Sequence, residues 1–533
     1  MNSAITRGGL FGNAEDDCSL EQQHIGAEPH ERAVAAIRRV IEEGHPLQLA
    51  YSAGKDSALC VHLTLTAARA VQREGRLCPP IVVSNIDTQV ESPVVRALAE
   101  TEMAKMTAYA KLHRIPLETR VGRPTLSAGF AARVIGGRAL PTFPQSRSQD
   151  CSVSWKVKSG ERIARQVRAM LGPESSKLVT VIGTRSSESA ARGRATAGRK
   201  ETAHEIWCDP LGELRLSPIL DWTTDEVWEV IGEIANGFHE SYTDFAAVAE
   251  FYADAGGSSC AIVAELKSTG TSKPCGARSG CWACVASGPT DKSVETMLEQ
   301  NPGRYPYLVP LLKLRNFLSA TAWDWSRRNY LGRTINDDGT IQVSADQYSP
   351  QMVEDLLYYT LAAQDEANSL GSPSLVRPIG VRELVAIDFY WSSRAWHPPW
   401  HALAVYFDHC NGNVKTAPAI NVPARPSAVP SIGRVYVGED WDSNESPLRP
   451  AGLRHPMWEL FSESCGASLR TNAAGKVFLS LDEEPEFTVD EEGAIDFLTF
   501  FAEEKIAAYH RHDYCDWTLG ALIRCVACRS DVG

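Results

Sequence analysis

The stretch Leu47-Gln48-Leu49-Ala50-Tyr51-Ser52-Ala53-Gly54-Lys55-Asp56-Ser57 decides the reading of this chain. Its first five residues form a short, mostly apolar run that reads as a buried strand. Small and polar residues follow, and from Ser57 to Arg73 the apolar positions take helical spacing. A tight strand-to-helix turn of this composition lets successive backbone N–H groups point inward as an anion nest. The helix start adds free donors and the positive end of a dipole. Ser52 and Ser57 supply hydroxyls and Lys55 a cation, so the loop suits a pyrophosphate. A bare glycine/serine turn is the structural alternative. The G-x-x-x-x-G-K-[ST] spacing of the Walker loop is absent.

Around this loop the two periods alternate. Pro29–Glu43 reads as helix, Pro80–Ile86 as strand, Ser92–His113 as a long helix, Ile115–Val121 as a weaker strand and Lys177–Gly183 as a clear one. Strands alternating with helices imply crossovers and a parallel sheet. The expected fold class is therefore α/β, a doubly wound parallel sheet. Ligands of such sheets lie at the carboxyl ends of strands, where strand order reverses. That directs attention to the loops after Tyr51, Ile86 and Gly183. Asp87 and Thr88 follow the second strand. Gly183-Thr184-Arg185-Ser186-Ser187-Glu188-Ser189 follows the later one and leads into Arg192, Arg194 and Arg199. Arginine suits bidentate phosphate recognition. Thr223 with Glu226 forms a capping-box signature before a helix over 223–235.

The chain has 533 residues, enough for two to four domains. With 44% hydrophobic and 22% charged residues its composition is that of a folded protein rather than a disordered one. No run of about 18 apolar residues and no apolar leader is seen, so a cytoplasmic protein without a membrane span is expected. The net charge of -13 argues against a surface coated in nucleic acid. That average conceals a basic stretch over 130–200, with 14 Lys/Arg against 4 Asp/Glu, and an acidic one over 435–533, with 8 against 19. Nucleic-acid contact, if made, is expected to be local to 130–200.

Fourteen cysteines in a reducing compartment point to metal or sulfur chemistry rather than disulfides. Cys260, Cys275, Cys281 and Cys284 form C-x14-C-x5-C-x2-C, four thiolates suited to zinc or to an iron–sulfur cluster; spacing alone does not choose. Cys151 lies among Arg147, Lys156 and Lys158, cations that favour a thiolate, although a structural cysteine is an equal alternative. The aromatic segment from Phe389 to His401 reads as core rather than as a base-stacking platform. Pro418–Ser431 reads as a linker or long loop. A second C-x-x-C, Cys525 and Cys528 with Cys515, lacks a supporting pattern.

Ser52–Ser57 resembles the S-G-G-K-D-S loop of the ATP pyrophosphatase superfamily, with Ala53 in place of the first glycine. That replacement is accommodated if φ of Ala53 stays negative. The Gly183–Ser189 pattern and Pro218-Ile219-Leu220-Asp221-Trp222 resemble phosphoadenosine-phosphosulfate reductases. Cys275–Val285 followed by Asp291-Lys292-Ser293, and Asp87–Val95, resemble the DndC/SspD-like sulfurtransferases of bacterial DNA phosphorothioation, a reductase-like branch of that superfamily. The resemblance spans about residues 30–335, and Ser279 stands where that family tends to have Phe.

The resemblance implies an adenine nucleotide alpha hydrolase-like domain over 29–240, preceded by an extension over 1–28. An iron–sulfur region over 241–345 and an α or α+β accessory region over 346–533 would follow. It implies ATP, Mg²⁺ and a [4Fe–4S] cluster on Cys260, Cys275, Cys281 and Cys284. ATP would lie on Ser52, Ala53, Gly54, Lys55, Asp56, Ser57, Asp87, Thr88, Gly183, Arg185 and Glu188. Lys55, Asp56, Cys151 and Arg185 would be catalytic, with Cys151 carrying the sulfur. DNA, a cysteine desulfurase and other phosphorothioation-complex proteins are the implied partners. A phosphoadenosine-phosphosulfate reductase, a tRNA thiolase and a non-catalytic nucleotide-sensing scaffold are the competing readings.

Overall fold

A computed structural model describes residues 28–141, 151–188, 190–256, 281–285, 290–336, 338–434, 436, 468–471, 477–480, 488–502, 504 and 506. The chain divides into two compact units. The first draws its described residues from 1–86, 98–122 and 162–276, the second from 87–97, 123–161 and 277–533.

The first unit is built on a six-stranded sheet. Helix α1 (Pro29–Glu42) leads into β1 (Leu47–Tyr51), followed by α2 (Lys55–Arg73), β2 (Ile81–Ile86), α3 (Pro93–His113) and β3 (Leu117–Gly122). After α4 (Lys158–Leu171) come β4 (Val179–Val181), α5 (Ala190–Arg199), β5 (Trp207–Cys208), β6 (Leu214–Leu216), α6 (Thr224–Ala235) and α7 (Ala246–Gly256). The strand order is β3-β2-β1-β4-β6-β5. All neighbours pair in parallel except β5, which runs antiparallel to β6 at the edge. This is the expected α/β fold with a mostly parallel sheet. Strand order grows outward from β1 in both directions, so the reversal point lies between β1 and β4.

Strand β1 lies inside the sheet between β2 and β4, with Leu47, Leu49 and Tyr51 buried on one face and Gln48 buried but Ala50 exposed on the other. Helix α2 is buried over most of its circumference, with Ala58, Leu59, Val61, Leu63 and Leu65 inside. Val82, Ile163, Val167 and Leu178 form a core cluster between the sheet and α4. Edge strand β3 alternates partly buried and exposed residues, which is why its sequence signal is weak. The start of α6 is capped reciprocally. Thr223 Oγ1 accepts the Glu226 N–H at 3.2 Å, and Glu226 Oε2 accepts the Thr223 N–H at 2.6 Å. The short hairpin of β5 and β6 was not expected; strands of two and three residues carry no period to read.

The second unit contains α8 (Lys292–Gln300), α9 (Leu308–Ala320), the antiparallel hairpin β7 (Arg328–Ile335) and β8 (Ile341–Tyr348), α10 (Pro350–Ser369), α11 (Val381–Ser393) and α12 (His401–Cys410). A further hairpin, β9 (Ser468–Thr471) with β10 (Val477–Ser480), and α13 (Glu491–Phe500) follow. Among the described residues after 346, helices α10 to α13 are the main regular elements. These helices are faint in the sequence because α10 buries polar Thr360 and Gln364 beside Leu356, Leu357 and Leu361, which blurs the apolar stripe. Trp391 is fully buried and donates its indole N–H to the Ile135 carbonyl at 2.8 Å, so the aromatic segment is anchored in core. Residues 414–434 run without helix or strand, as the proline content predicts. No helix among the described residues is long and apolar enough to cross a membrane.

One polar cluster inside the first unit has a thermodynamic consequence. His30 Nε2 and His62 Nε2 are 3.0 Å apart, His62 Nδ1 meets Ser241 Oγ at 2.9 Å, and His239 stacks on His30 at 3.9 Å. Burial, then the neighbouring His239, lowers the His30 pKa to about 4, and burial pushes His62 well below its ordinary value. The folded state keeps these rings neutral while the unfolded chain takes up protons near pH 6.5. Stability is therefore complete above about pH 6.5 and declines as pH falls toward 4, by up to about 1.4 kcal/mol per pH unit for each ring. Urea unfolding at pH 7.5, 6 and 5 should show this decline, and His30→Phe should flatten it.

Candidate functional site

The loop after β1 is held by its own side chains. The Ser52 N–H donates to Ser57 Oγ at 3.1 Å, and the Ser57 hydroxyl donates to the Gly54 carbonyl at 2.9 Å. Ser52 Oγ lies 3.1 Å from Ser57 Oγ. Gly54 occupies the N-cap of α2 with extended backbone and has no side chain to cap it. The helix begins at Lys55, two residues earlier than its apolar period indicates. The first helical N–H, that of Lys55, donates to the Tyr252 hydroxyl at 3.4 Å, and the positive dipole end of α2 lies at the loop.

Ala53 departs from expectation. Its φ is +59°, in the left-handed region, not negative. A Cβ in that conformation costs roughly 1–2 kcal/mol. The turn from β1 into α2 requires the conformation whichever residue stands there. The strain is retained because Ala53 is buried, at 3% exposure, and hemmed by the loop.

The charges meet at Asp56. Its Oδ1 lies 2.9 Å from Arg185 Nε and its Oδ2 3.1 Å from Lys55 Nζ. Arg185 is 2% exposed and also donates from Nη1 to Thr224 Oγ1 at 3.1 Å. Lys55 is buried as well, with Nζ 5.4 Å from the centre of the Tyr252 ring. The Tyr252 hydroxyl lies 3.4 Å from the Lys55 N–H. One carboxylate thus sits between two cations, leaving a net positive charge beside the helix start. Sequence reasoning paired Lys55 and Arg185 with phosphates and missed both their shared anchor on Asp56 and Tyr252 on α7. Nothing in the spacing links 56 with 185 or 55 with 252.

Gly183 is explained by contact. A Cβ placed on it would meet Asp56 C and O at 3.1 Å and Ser57 N at 3.2 Å. The chain leaving β4 therefore runs close against the Asp56–Ser57 backbone, and any residue larger than glycine would need that backbone to give by a few tenths of an ångström. Glu188 ends the short turn Ser186–Glu188 that follows. Ser52, Ala53, Gly54, Lys55, Asp56, Ser57, Gly183 and Arg185 are thus brought together at the reversal point of the sheet. Cys60, one turn into α2, has its thiol pushed up by burial and then by Asp56, which makes it a packed side chain rather than a nucleophile.

In the second unit Asp87 is buried. Its Oδ1 accepts the Gln89 N–H at 2.9 Å, and its Oδ2 lies 3.1 Å from Arg123 Nε and 3.4 Å from Arg96 Nη2. Thr88 is fully buried, and its hydroxyl has no hydrogen-bond partner among the described residues. Arg96 and Arg123, with Arg377 and Arg382, line an open hollow of about 240 Å³. Lys156 Nζ is 3.2 Å from the half-buried Glu91, whose pKa burial raises against that pairing.

Cys281 and Cys284, reduced and of intermediate exposure, lie in a turn closed by the Cys284 N–H donating to the Cys281 carbonyl at 2.9 Å. The buried Arg315 donates to the Cys284 carbonyl at 3.2 Å, and Trp282 packs edge-on against Phe130. Two reduced thiols in a tight turn fit half of a four-thiolate set. Cys260 and Cys275 lie outside the described residues, as do Cys515, Cys525 and Cys528. Cys151 opens a π-helical turn, Cys151–Val157, and its side chain is not among those described. Much of the basic stretch is internally paired: Arg168 with Glu213, Arg185 with Asp56, Arg199 with Glu201. Arg165, Arg194 and Lys200 are exposed.

Residues 46–240 match the phosphoadenosine phosphosulfate reductase domain. The six-stranded sheet is the adenine nucleotide alpha hydrolase-like fold of that domain. No curated protein matches the sequence. Among solved structures, Candida glabrata FMN adenylyltransferase in complex with FMN and an ATP analogue is similar at 14% identity, over 41% of this chain and 64% of that one, with a TM-score of 0.23. The chain thus spans less than two thirds of that enzyme. The U34-tRNA thiolase NcsA of Methanococcus maripaludis, solved with its [4Fe–4S] cluster, is similar at 13% identity, over 42% of this chain and 70% of that one, with a TM-score of 0.24.

Two substitutions test the backbone constraints of the reductase-like domain. Ala53→Gly relieves the left-handed strain and should raise stability by about 0.5–1 kcal/mol, read as a higher urea midpoint at unchanged m-value. Gly183→Ala crowds the Asp56–Ser57 backbone and should destabilise by about 1–3 kcal/mol, read as a lower urea midpoint.

Proposed function

We propose that the chain is an ATP-dependent sulfurtransferase acting on the DNA backbone. Supporting this reading above all is the Lys55–Asp56–Arg185 set beside the start of α2, at the sheet's reversal point. A site with positive charge, two serine hydroxyls and the positive end of a helix dipole favours the pyrophosphate leaving group of ATP.

In this reading a non-bridging DNA phosphate oxygen attacks the α-phosphorus of ATP. The bond from that phosphorus to the β-phosphate bridge breaks, and pyrophosphate leaves into the loop. Lys55 and the N–H groups of α2 stabilise its growing charge, while Arg185 holds Asp56 and so positions Lys55. A hydrosulfide then attacks the adenylated DNA phosphorus and AMP departs, leaving a phosphorothioate. Cys151 carries the sulfur as a persulfide received from a cysteine desulfurase, and a thiol reductant releases it at the hydrosulfide level. Mg²⁺, when bound, neutralises phosphate charge; both Asp56 oxygens are ion-paired, so the phosphates and water would hold it. A [4Fe–4S] cluster, held by Cys281 and Cys284 with Cys260 and Cys275, would supply electron transfer or sulfur ligation. DNA contact would involve the exposed Arg165, Arg194 and Lys200, with the arginine-lined hollow of the second unit offering a further site for phosphodiester oxygens.

The full chain with ATP, DNA and its sulfur donor should release AMP and pyrophosphate. Lys55→Met and Arg185→Gln should each lower that rate by about 10²–10³-fold. Cells supplied with labelled sulfur should place it in DNA, and Cys151→Ser should abolish incorporation while sparing pyrophosphate release. No pyrophosphate with all components present overturns the enzymatic reading, and label in tRNA rather than DNA overturns the substrate.

A further inference from the structure

We propose that Glu354, His397 and His401 form a binding site for a divalent transition cation of the zinc class, separate from the cysteine set. Glu354 lies on α10, His401 opens α12, and His397 lies in the turn before it. One ligand atom from each residue falls within 4.8 Å of the other two. Glu354 Oε2 is 3.2 Å from His401 Nε2 and 3.8 Å from His397 Nδ1. Donor atoms around a tetrahedral zinc ion lie about 3.3 Å apart, given metal–ligand distances of about 2.0–2.2 Å. The arrangement is therefore within small side-chain adjustments of coordination geometry.

The surroundings orient the donors. His397 Nε2 lies 3.0 Å from the Pro350 carbonyl, which can only accept, so Nε2 carries the proton and Nδ1 presents its lone pair toward Glu354. Metal-bound histidines are fixed in this way, by donating the second ring nitrogen to a carbonyl or carboxylate. The two imidazoles stack almost parallel, 4.6 Å between centres and 10° between planes, against the buried Trp391 ring 4.6 Å from His397. The start of α12 is pinned from α11: the Asp388 carboxylate accepts the Trp400 N–H at 2.9 Å and the Ala402 N–H at 3.1 Å, on either side of His401. Two imidazoles and one carboxylate, all borderline-hard donors, favour zinc and its first-row neighbours over calcium or magnesium. Three protein ligands leave a fourth position for water. The bound cation ties α10, the His397 turn and α12 together.

The cysteine set is itself a potential zinc ligand, so the test is spectroscopic and uses the full chain carrying Cys281→Ser and Cys284→Ser. After chelator treatment this variant should bind one equivalent of Co²⁺, giving visible d–d absorption without a thiolate charge-transfer band. Zn²⁺ should displace it and raise the melting temperature, and EDTA should reverse the rise. Glu354→Gln and His401→Gln, each placed in that background, should weaken Co²⁺ binding more than about tenfold, given that even outer-shell losses cost that much. Their circular dichroism should remain native. The proposal is overturned if the cysteine variant binds no Co²⁺, if its band carries thiolate character, or if folded Glu354→Gln and His401→Gln proteins bind as tightly as their parent.

Discussion

The ion pair between buried Arg185 and half-buried Asp56 joins the two loops that flank the reversal point of the sheet. Arg185 arrives from β4, and Asp56 belongs to the first turn of the helix that follows β1. A guanidinium with 2% exposure needs a partner, because an unpaired buried charge is strongly destabilising. Once the pair is made, Asp56 is turned toward Lys55, and the lysine is held under the Tyr252 ring rather than released to solvent. The position of the cation, the entry of α2 and the course of the chain after β4 are consequences of one contact.

Backbone constraints make that contact reachable. Gly183 lets the chain pass within van der Waals distance of the loop, where a Cβ would press to 3.1 Å from the Asp56 carbonyl. Ala53 accepts a left-handed conformation that a glycine would adopt without cost. The loop is thus held in its conformation by packing and serine hydrogen bonds rather than by the intrinsic preference of every residue in it. The same logic governs the second unit, where Trp391 and Asp388 fix the segment that carries His397 and His401.

Strong periodicity carried the sequence reading furthest. Leu47–Tyr51 was legible as a strand to the residue, and α1, α2, α3, β2 and the Thr223–Glu226 capping box within one or two residues of their ends, because buried parallel strands and long helices have distinct apolar patterns. Elements of two or three residues, such as β5, and helices that bury polar side chains, such as α10, left no pattern of that kind. Ser52–Ser57 was readable from residue types alone as a strand-to-helix turn of small and polar residues, yet the sign of φ at Ala53 was not, since it depends on how β1 must turn into α2.

The order of strand, turn and helix, and hence the place of a candidate anion site after β1, was legible in the sequence alone, because local propensity and burial pattern act over a few adjacent residues. Which charges share that site was decided only by tertiary structure. Arg185 reaches Asp56 across 129 positions and Tyr252 reaches Lys55 across 197. Glu354 meets His401 by the packing of helices whose pairing no short-range pattern encodes. Side chains far apart in the chain become neighbours through the burial of the sheet and helices between them, and burial is a property of the whole fold.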